Sequence, residues 1–518
     1  MILGITCMVF LGPGCVRFGF TPADQALTSA NGSSEGGVPD GGVPDGGVPD
    51  GGVPDGGVPD GGVPDGGSDT TSDGNTSVDA TFDVNSDGPV LAEHSWQETI
   101  GNTGADVGFG VALDLDRNVY LIGSFQDSLC FSGNCFTSKG QDDFFIVSFT
   151  STGILRWWKI LGGLGIDAVR GLAIDTDGNI TLAGSFEGTV DLGGGSVTST
   201  GQEDIFVTSF SSTGAHRWQQ ALGGASSDFG YSVAVDASGN VTLIGSFQGT
   251  AFLGDAQAIS KGKDDIFVTS FSSTGVHRWQ SALGGTGLDW ASSVAVDTSG
   301  NVYLAGKFRE TADLGGGSVT SRGQDDIFVT SFASNGDHRW QEALGSTSQD
   351  FGYGVAVDSS GNLSLVGLFE GALDLGDGVV TPKGSYDVFV INFVAATGVH
   401  RWQKALGGTD TDWGGGVGVN TNGDICLTGS FRGTSDFGGG PITSAGNYDI
   451  FASCFTSDGV HRWQTALGGL DYDMGSSVVV DTMGHIYLTG SFQGTADLGG
   501  GDVTSAGDHD IFLLKHVP

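Results

Sequence analysis

Tryptophan recurs at a nearly fixed interval along this chain: Trp96, Trp157, Trp218, Trp279, Trp340, Trp402 and Trp463, in steps of 61 residues with one step of 62. Seven near-identical units therefore follow one another. A single unit of this size cannot bury its apolar faces alone and must stack on its neighbours. The fold is constrained by that repetition more than by any local motif.

The fourth unit shows what each one contains. Ser293-Val294-Ala295-Val296-Asp297 is a short β-branched run, and Thr298-Ser299-Gly300-Asn301 is a turn. Val302 to Phe308 alternates again, a long Gly-rich loop runs from Thr311 to Gln324, and Asp326 to Phe332 reads as a third strand. After the turn Ser334-Asn335-Gly336, His338-Arg339-Trp340-Gln341 opens a fourth strand. Short strands, turn residues and no helical period predict an all-β fold. Four-stranded antiparallel units in series predict propeller blades, with a period longer than that of WD40 or kelch repeats.

The expected architecture is a seven-bladed β-propeller over residues 94–518. The array opens on an orphan fourth strand, His94-Ser95-Trp96-Gln97, and its last unit stops after a third strand, Asp510 to Lys515. The N-terminal strand is thus expected to complete the last blade and close the ring, which leaves no exposed sheet edge. Gly-Asn-Val-Tyr-Leu-Ala-Gly at 300–306, Asp-Ile-Phe-Val at 326–329 and Gly336 resemble the SBBP-type β-propeller repeat of bacterial envelope and secreted proteins. The resemblance implies the propeller fold and an extracytoplasmic setting. It implies little about activity.

Before the array, residues 21–93 carry six copies of Gly-Gly-Val-Pro-Asp and read as a disordered acidic spacer. Residues 1–20 are apolar, with small residues before Cys15, like the end of a lipoprotein export signal. Cys15 is the candidate lipid-bearing residue. The expected location is the cell envelope, the outer surface or outside the cell. Cys130 and Cys135 flank a short turn found only in the first unit and are a candidate disulfide. Cys426 and Cys454 lie in neighbouring strands of the sixth unit, where a bridge and two free buried thiols are equally compatible.

The formal net charge is −40, and residues 1–93 hold 14 acids against one base. The array is therefore acidic too. That excludes nucleic acid and an anionic membrane surface as partners, because both need Lys and Arg to meet phosphate. Each inter-blade link carries an aspartate: Asp106, Asp167, Asp228, Asp289, Asp350, Asp412 and Asp473. In blades three to six an aromatic follows it, so the candidate ligand-binding residues are Asp228 and Phe229, Asp289 and Trp290, Asp350 and Phe351, and Asp412 and Trp413, with Arg170 nearby as a cation. Strand reversal places these links on one face. Carboxylates with an aromatic arc could hold a sugar, a cation or a basic peptide; capping of each turn by its own Asp is the plainer account of so regular a column.

Other departures from the repeat are Lys307, Arg309 and Glu310 in blade four, and Trp158 where the other units have Gln. The column Arg217, Arg278, Arg339, Arg401 and Arg462 is expected to pair with repeat carboxylates. Turns such as Asp175-Thr176-Asp177-Gly178-Asn179 share letters with a calcium loop but lack its later Glu and flanking helices. No cofactor is evident, and calcium is the one ion these turns would suit. The expected function is a surface-tethered or secreted, non-enzymatic binding or scaffolding module, a monomer with a protein or glycan partner. The alternative is an exported carbohydrate-active enzyme that uses Asp residues of the same face.

Overall fold

The computed structural model describes residues 93–517. The export-like segment with Cys15, and the spacer up to residue 92, lie outside the described residues. Among the described residues there are strands and turns but no helix. In the fourth unit the inner strand is Trp290–Val296, the second Val302–Asp313, the third Ser318–Phe332 and the outer His338–Leu344. Each pairs antiparallel with the next in order. The third strand is buried on both faces from Asp325 to Phe332, as expected where one sheet is sandwiched between two others. That double burial explains the continuous apolar run in the sequence.

The Gly-rich segment from Thr311 to Gln324 is not a loop. It is a hairpin that prolongs the second and third strands, with Thr311 opposite Thr320 and Asp313 opposite Ser318. The hairpin also crosses to the preceding unit: Gly284 and Gly285 at the end of one outer strand pair with Asp313 and Ala312. The same link joins Gly162 to Asp191, Gly223 to Phe252, Gly407 to Asp436 and Gly468 to Asp497. The glycines that suggested a loop serve the tip and this close backbone approach.

The tryptophan column ties each unit to the next. Trp279 Nε1 donates to the Ser334 carbonyl at 3.0 Å, and Trp157, Trp218 and Trp402 repeat the bond 55 residues on. Gly336 must be glycine there: its φ is +90°, and a Cβ would meet the Trp279 ring at 2.8 Å. The arginine column differs from expectation. Arg278 donates to Ser270 Oγ and the Ser334 carbonyl, and Arg339 to Tyr303 Oη and Ser331 Oγ. Arg462 does form an ion pair, with Asp424 at 2.8 Å. For Arg217, Arg278 and Arg339 a serine lies across the strand pair, and for Arg401 the Asn392 side chain does.

At the inner edge, the first strand of each unit carries a bulge, such as the register shift between Ala291 and Ser293. Ser293 Oγ accepts from Val355 N at 2.9 Å, and Ser477 Oγ from Val111 N at 3.4 Å, so inner strands of different units touch. Glu93–Ile100 pairs antiparallel with Asp510–Val517. In the turns, Asp297 accepts from Ser299 N, Asn301 N, Asn301 Nδ2 and Tyr303 Oη at 2.8–2.9 Å, which commits both of its oxygens.

Among the described residues there are two disulfides, Cys130–Cys135 and Cys426–Cys454. Cys426 and Cys454 are 2% exposed and lie in an apolar cluster, whereas Cys135 is exposed. Mild reductant under native conditions is therefore expected to open Cys130–Cys135 alone. Mass spectrometry of iodoacetamide adducts reads this directly; alkylation of all four cysteines at one rate would contradict it. The first hairpin also explains Trp158. In five other units the equivalent Gln bonds the hairpin tip, as Gln341 does with Gly316 N and the Gly317 carbonyl. In the first unit Trp158 packs on Phe131 and Phe136 at 6.1 and 5.8 Å instead.

Candidate binding face

The link aspartates are structural in their geometry. Asp228 accepts from Gly224 N at 2.7 Å and Gln248 N at 3.1 Å. Asp289 accepts from Gly285 N and Arg309 N, Asp350 from Ser346 N and Glu370 N, and Asp412 from Gly408 N and Ser435 Oγ. All four are fully buried. Each thus bonds the link that carries it to the adjacent strand system, and none offers a carboxylate to the face. The sequence reading of a carboxylate ring that accepts hydrogen bonds from a ligand is corrected here: the plainer reading of the column describes these residues.

A second aspartate lies beside each of them. A Cβ on Gly223 would meet Asp204 Oδ1 at 2.7 Å and Asp228 Oδ2 at 3.0 Å, and Gly284 lies in the same way between Asp265 and Asp289. Burial, opposed by the backbone N–H bonds and reinforced by the neighbouring carboxylate, pushes Asp228 and Asp412 up to about 7 and Asp289 and Asp350 up to about 6.

The aromatics do gather. Phe229 stacks on Tyr231 at 6.1 Å, and Tyr231 meets Trp290 at 5.0 Å. Lys307 Nζ lies 5.6 Å from the Trp290 ring and 4.8 Å from that of Phe351. Phe351 continues to Tyr353 at 6.1 Å and Tyr386 at 6.4 Å, and Tyr386 stacks on Trp413 at 6.0 Å. Arg170 caps the other end, 6.0 Å from Phe229 and 5.7 Å from Tyr231. One contiguous arc thus joins Arg170, Phe229, Trp290, Phe351 and Trp413, all marked in the sequence, with Tyr231, Lys307 and Tyr386.

The cations belong to the arc itself. Lys307 is bonded to Asp325 at 3.3 Å, and Arg309 grips the same carboxylate at 2.8 and 2.9 Å. Burial lowers the Lys307 pKa against the pull of Asp325. Beside Arg309, Glu310 adopts φ +62°, where five other units have glycine and the first has Asp127 at φ +54°. Tyr386 was missed by the motif reading. Its signal was an aromatic at the position where earlier units have Asp142, Glu203, Asp264 and Asp325.

No family model matches the chain. It is similar to a WD repeat-containing protein of Acanthamoeba polyphaga mimivirus, 23% identical over 250 residues, which cover 39% of this chain and 18% of that protein. It is also similar to the regulatory protein FlaEY of Caulobacter vibrioides, 25% identical over 208 residues, which cover 38% and 21%. The chain spans about a fifth of the length of these curated relatives. Among solved structures it is similar to BamB from Moraxella catarrhalis (13% identical, 82% of this chain and 100% of that one, TM-score 0.36) and to quinohemoprotein alcohol dehydrogenase from Comamonas testosteroni (9%, 82% and 76%, TM-score 0.38). The strand order within each unit and the WD-repeat relative make this a β-propeller repeat protein.

Proposed function

We propose that the chain is a non-enzymatic binding or scaffolding module, a closed ring of seven blades of the SBBP type displayed at the cell surface or secreted. The pairing of Glu93–Ile100 with Asp510–Val517, and the Val111–Ser477 bond between first and last units, support closure. The apolar leader with Cys15, the acidic spacer and the two disulfides suit export, with membrane attachment only through a lipid.

One observation carries the binding reading. Trp and the link Asp hold in every unit, while Arg170 and Lys307 occur in one unit each and the aromatics after the link Asp in four successive ones, and these side chains touch one another on one face together with Tyr386. Independent drift would scatter them around the ring. The enzymatic alternative is weaker, because its aspartates are buried and bonded to backbone. Calcium bound at the turns would have to displace the N–H bonds to Asp297 and its equivalents.

The test uses the full chain and a Trp290→Ala/Trp413→Ala double variant on glycan and peptide arrays. A ligand bound by the native chain and lost at least about tenfold in the variant is expected, a cost of roughly 1.4 kcal/mol. Equal binding by both proteins would remove the face from the argument, and turnover of any polysaccharide would overturn the non-enzymatic reading.

A further inference from the structure

Two ends of the arc differ in what they leave open. Arg170 lies over Phe229 and Tyr231, and Lys307 lies between Trp290 and Phe351. Those aromatic faces already hold a cation from the chain itself, so a cationic ligand would have to compete with a tethered one. At the other end Trp413 is 40% exposed, backed by Tyr386 at an interplanar angle of 25°.

The side chains that continue from Tyr386 are neutral or anionic hydrogen-bonding groups, and the exposed Arg432 flanks the same link, its backbone N–H bonded to Asp412. Tyr386 bonds the exposed Glu370 side chain. Glu370 Oε2 accepts from Gln349 N at 3.2 Å, and Gln349 Nε2 donates to Gln324 Oε1 at 3.0 Å. A carboxylate and two amides beside a flat, supported indole supply acceptors and donors for vicinal hydroxyls and a surface for the C–H face of a pyranose ring. None of these three groups neutralises an anion.

We propose that Trp413, Tyr386, Glu370, Gln349 and Gln324 form a platform for a neutral oligosaccharide. This inference rests on the binding reading above and names its ligand class. Acidic glycans are disfavoured, because Glu370 and the acidic array around it outweigh Arg432. Lys307 and Arg309 do not offset this, since both are bound to Asp325.

The experiment is calorimetric titration of the full chain with cellohexaose, xylohexaose and chitohexaose, with polygalacturonate as the anionic control, followed in parallel by tryptophan fluorescence. At least one hexaose is expected to bind, and polygalacturonate is not. Trp413→Ala should weaken binding by about tenfold or more, Trp413→Phe by about threefold and Glu370→Gln by about fivefold. Circular dichroism establishes that each variant is folded, and the two conservative variants decide the matter if Trp413→Ala is not. No binding of any hexaose, or affinity unchanged in the variants, overturns the platform. A peptide ligand lost in the Trp290→Ala/Trp413→Ala variant without hexaose binding would end the saccharide proposal and leave the binding module standing.

Discussion

Replacing Gly245 with alanine is expected to destabilise the array by more than about 4 kcal/mol, the range reserved for backbone clashes and severe overpacking. Gly245 sits in the second strand of the third unit, opposite Gly230, where the inner strand bulges before Ser232. The bulge turns the Phe229 carbonyl toward the glycine, so a Cβ would fall inside the van der Waals radius of that oxygen and 2.6 Å from the Phe267 ring. Neither neighbour can retreat: the carbonyl is held by the Asp228 link, and Phe267 is fully buried. Gly306, Gly367 and Gly490 face the same carbonyl in their units. The control is Gly188→Ala. Gly188 has φ +72° but nothing within 4 Å of a Cβ, and Glu310 occupies the equivalent position at φ +62°. That substitution should cost about 1 kcal/mol. Denaturant unfolding of the two variants reads the contrast, and similar midpoints would mean that the bulge is not the constraint described.

The spacing of the tryptophans was enough to mark the units, their strands and the pairing of Trp96's strand with the last one, because those features follow from periodicity. The aspartate column shows where periodicity stops being informative. A carboxylate that recurs in every unit can face solvent or backbone, and only the bonds from Gly224 N and Gln248 N show that Asp228 faces inward. Residues 311–324 were misread as a loop because glycine favours a turn and close strand contact alike, and the partner, Gly284-Gly285, belongs to another unit. Arg278 was expected to seek a carboxylate, but Ser270 Oγ lies across the strand pair at 3.0 Å. The arc was half legible: Phe229, Trp290, Phe351 and Trp413 break the repeat, while their contacts with Lys307 and Tyr386 depend on strand register across units.

The buried carboxylate pairs predict that this protein is more stable in mild acid than in mild alkali. Asp106 is pushed up to about 8, Asp167, Asp228, Asp412 and Asp473 to about 7, and Asp289 and Asp350 to about 6, in each case first by burial. The unfolded chain titrates near 3.8. A folded pKa above the unfolded one means that the native state holds the proton more tightly. The stabilisation is complete below about pH 4 and is lost as pH rises through 6 to 8. His216, His338, His461 and His509 act in the opposite sense, because burial lowers their pKa and costs stability below about pH 6.5. With about 1.4 kcal/mol per pH unit for each group, seven aspartates outweigh four histidines. A gain of roughly 5–10 kcal/mol between pH 8.5 and 5.5 is expected, or a midpoint higher by about 8 °C for an array of this length. Asp204→Asn tests the cause. Asp204 Oδ2 accepts from Thr200 N and Oγ1, and its buried Oδ1 lies near Asp228. An asparagine there keeps the first two bonds through its oxygen and points an amide at Asp228, as a shared proton would. The variant should match or exceed the native chain at pH 8.5 and fall below it at pH 5.5. A variant with a constant deficit at both pH values would show that the pair does not share a proton.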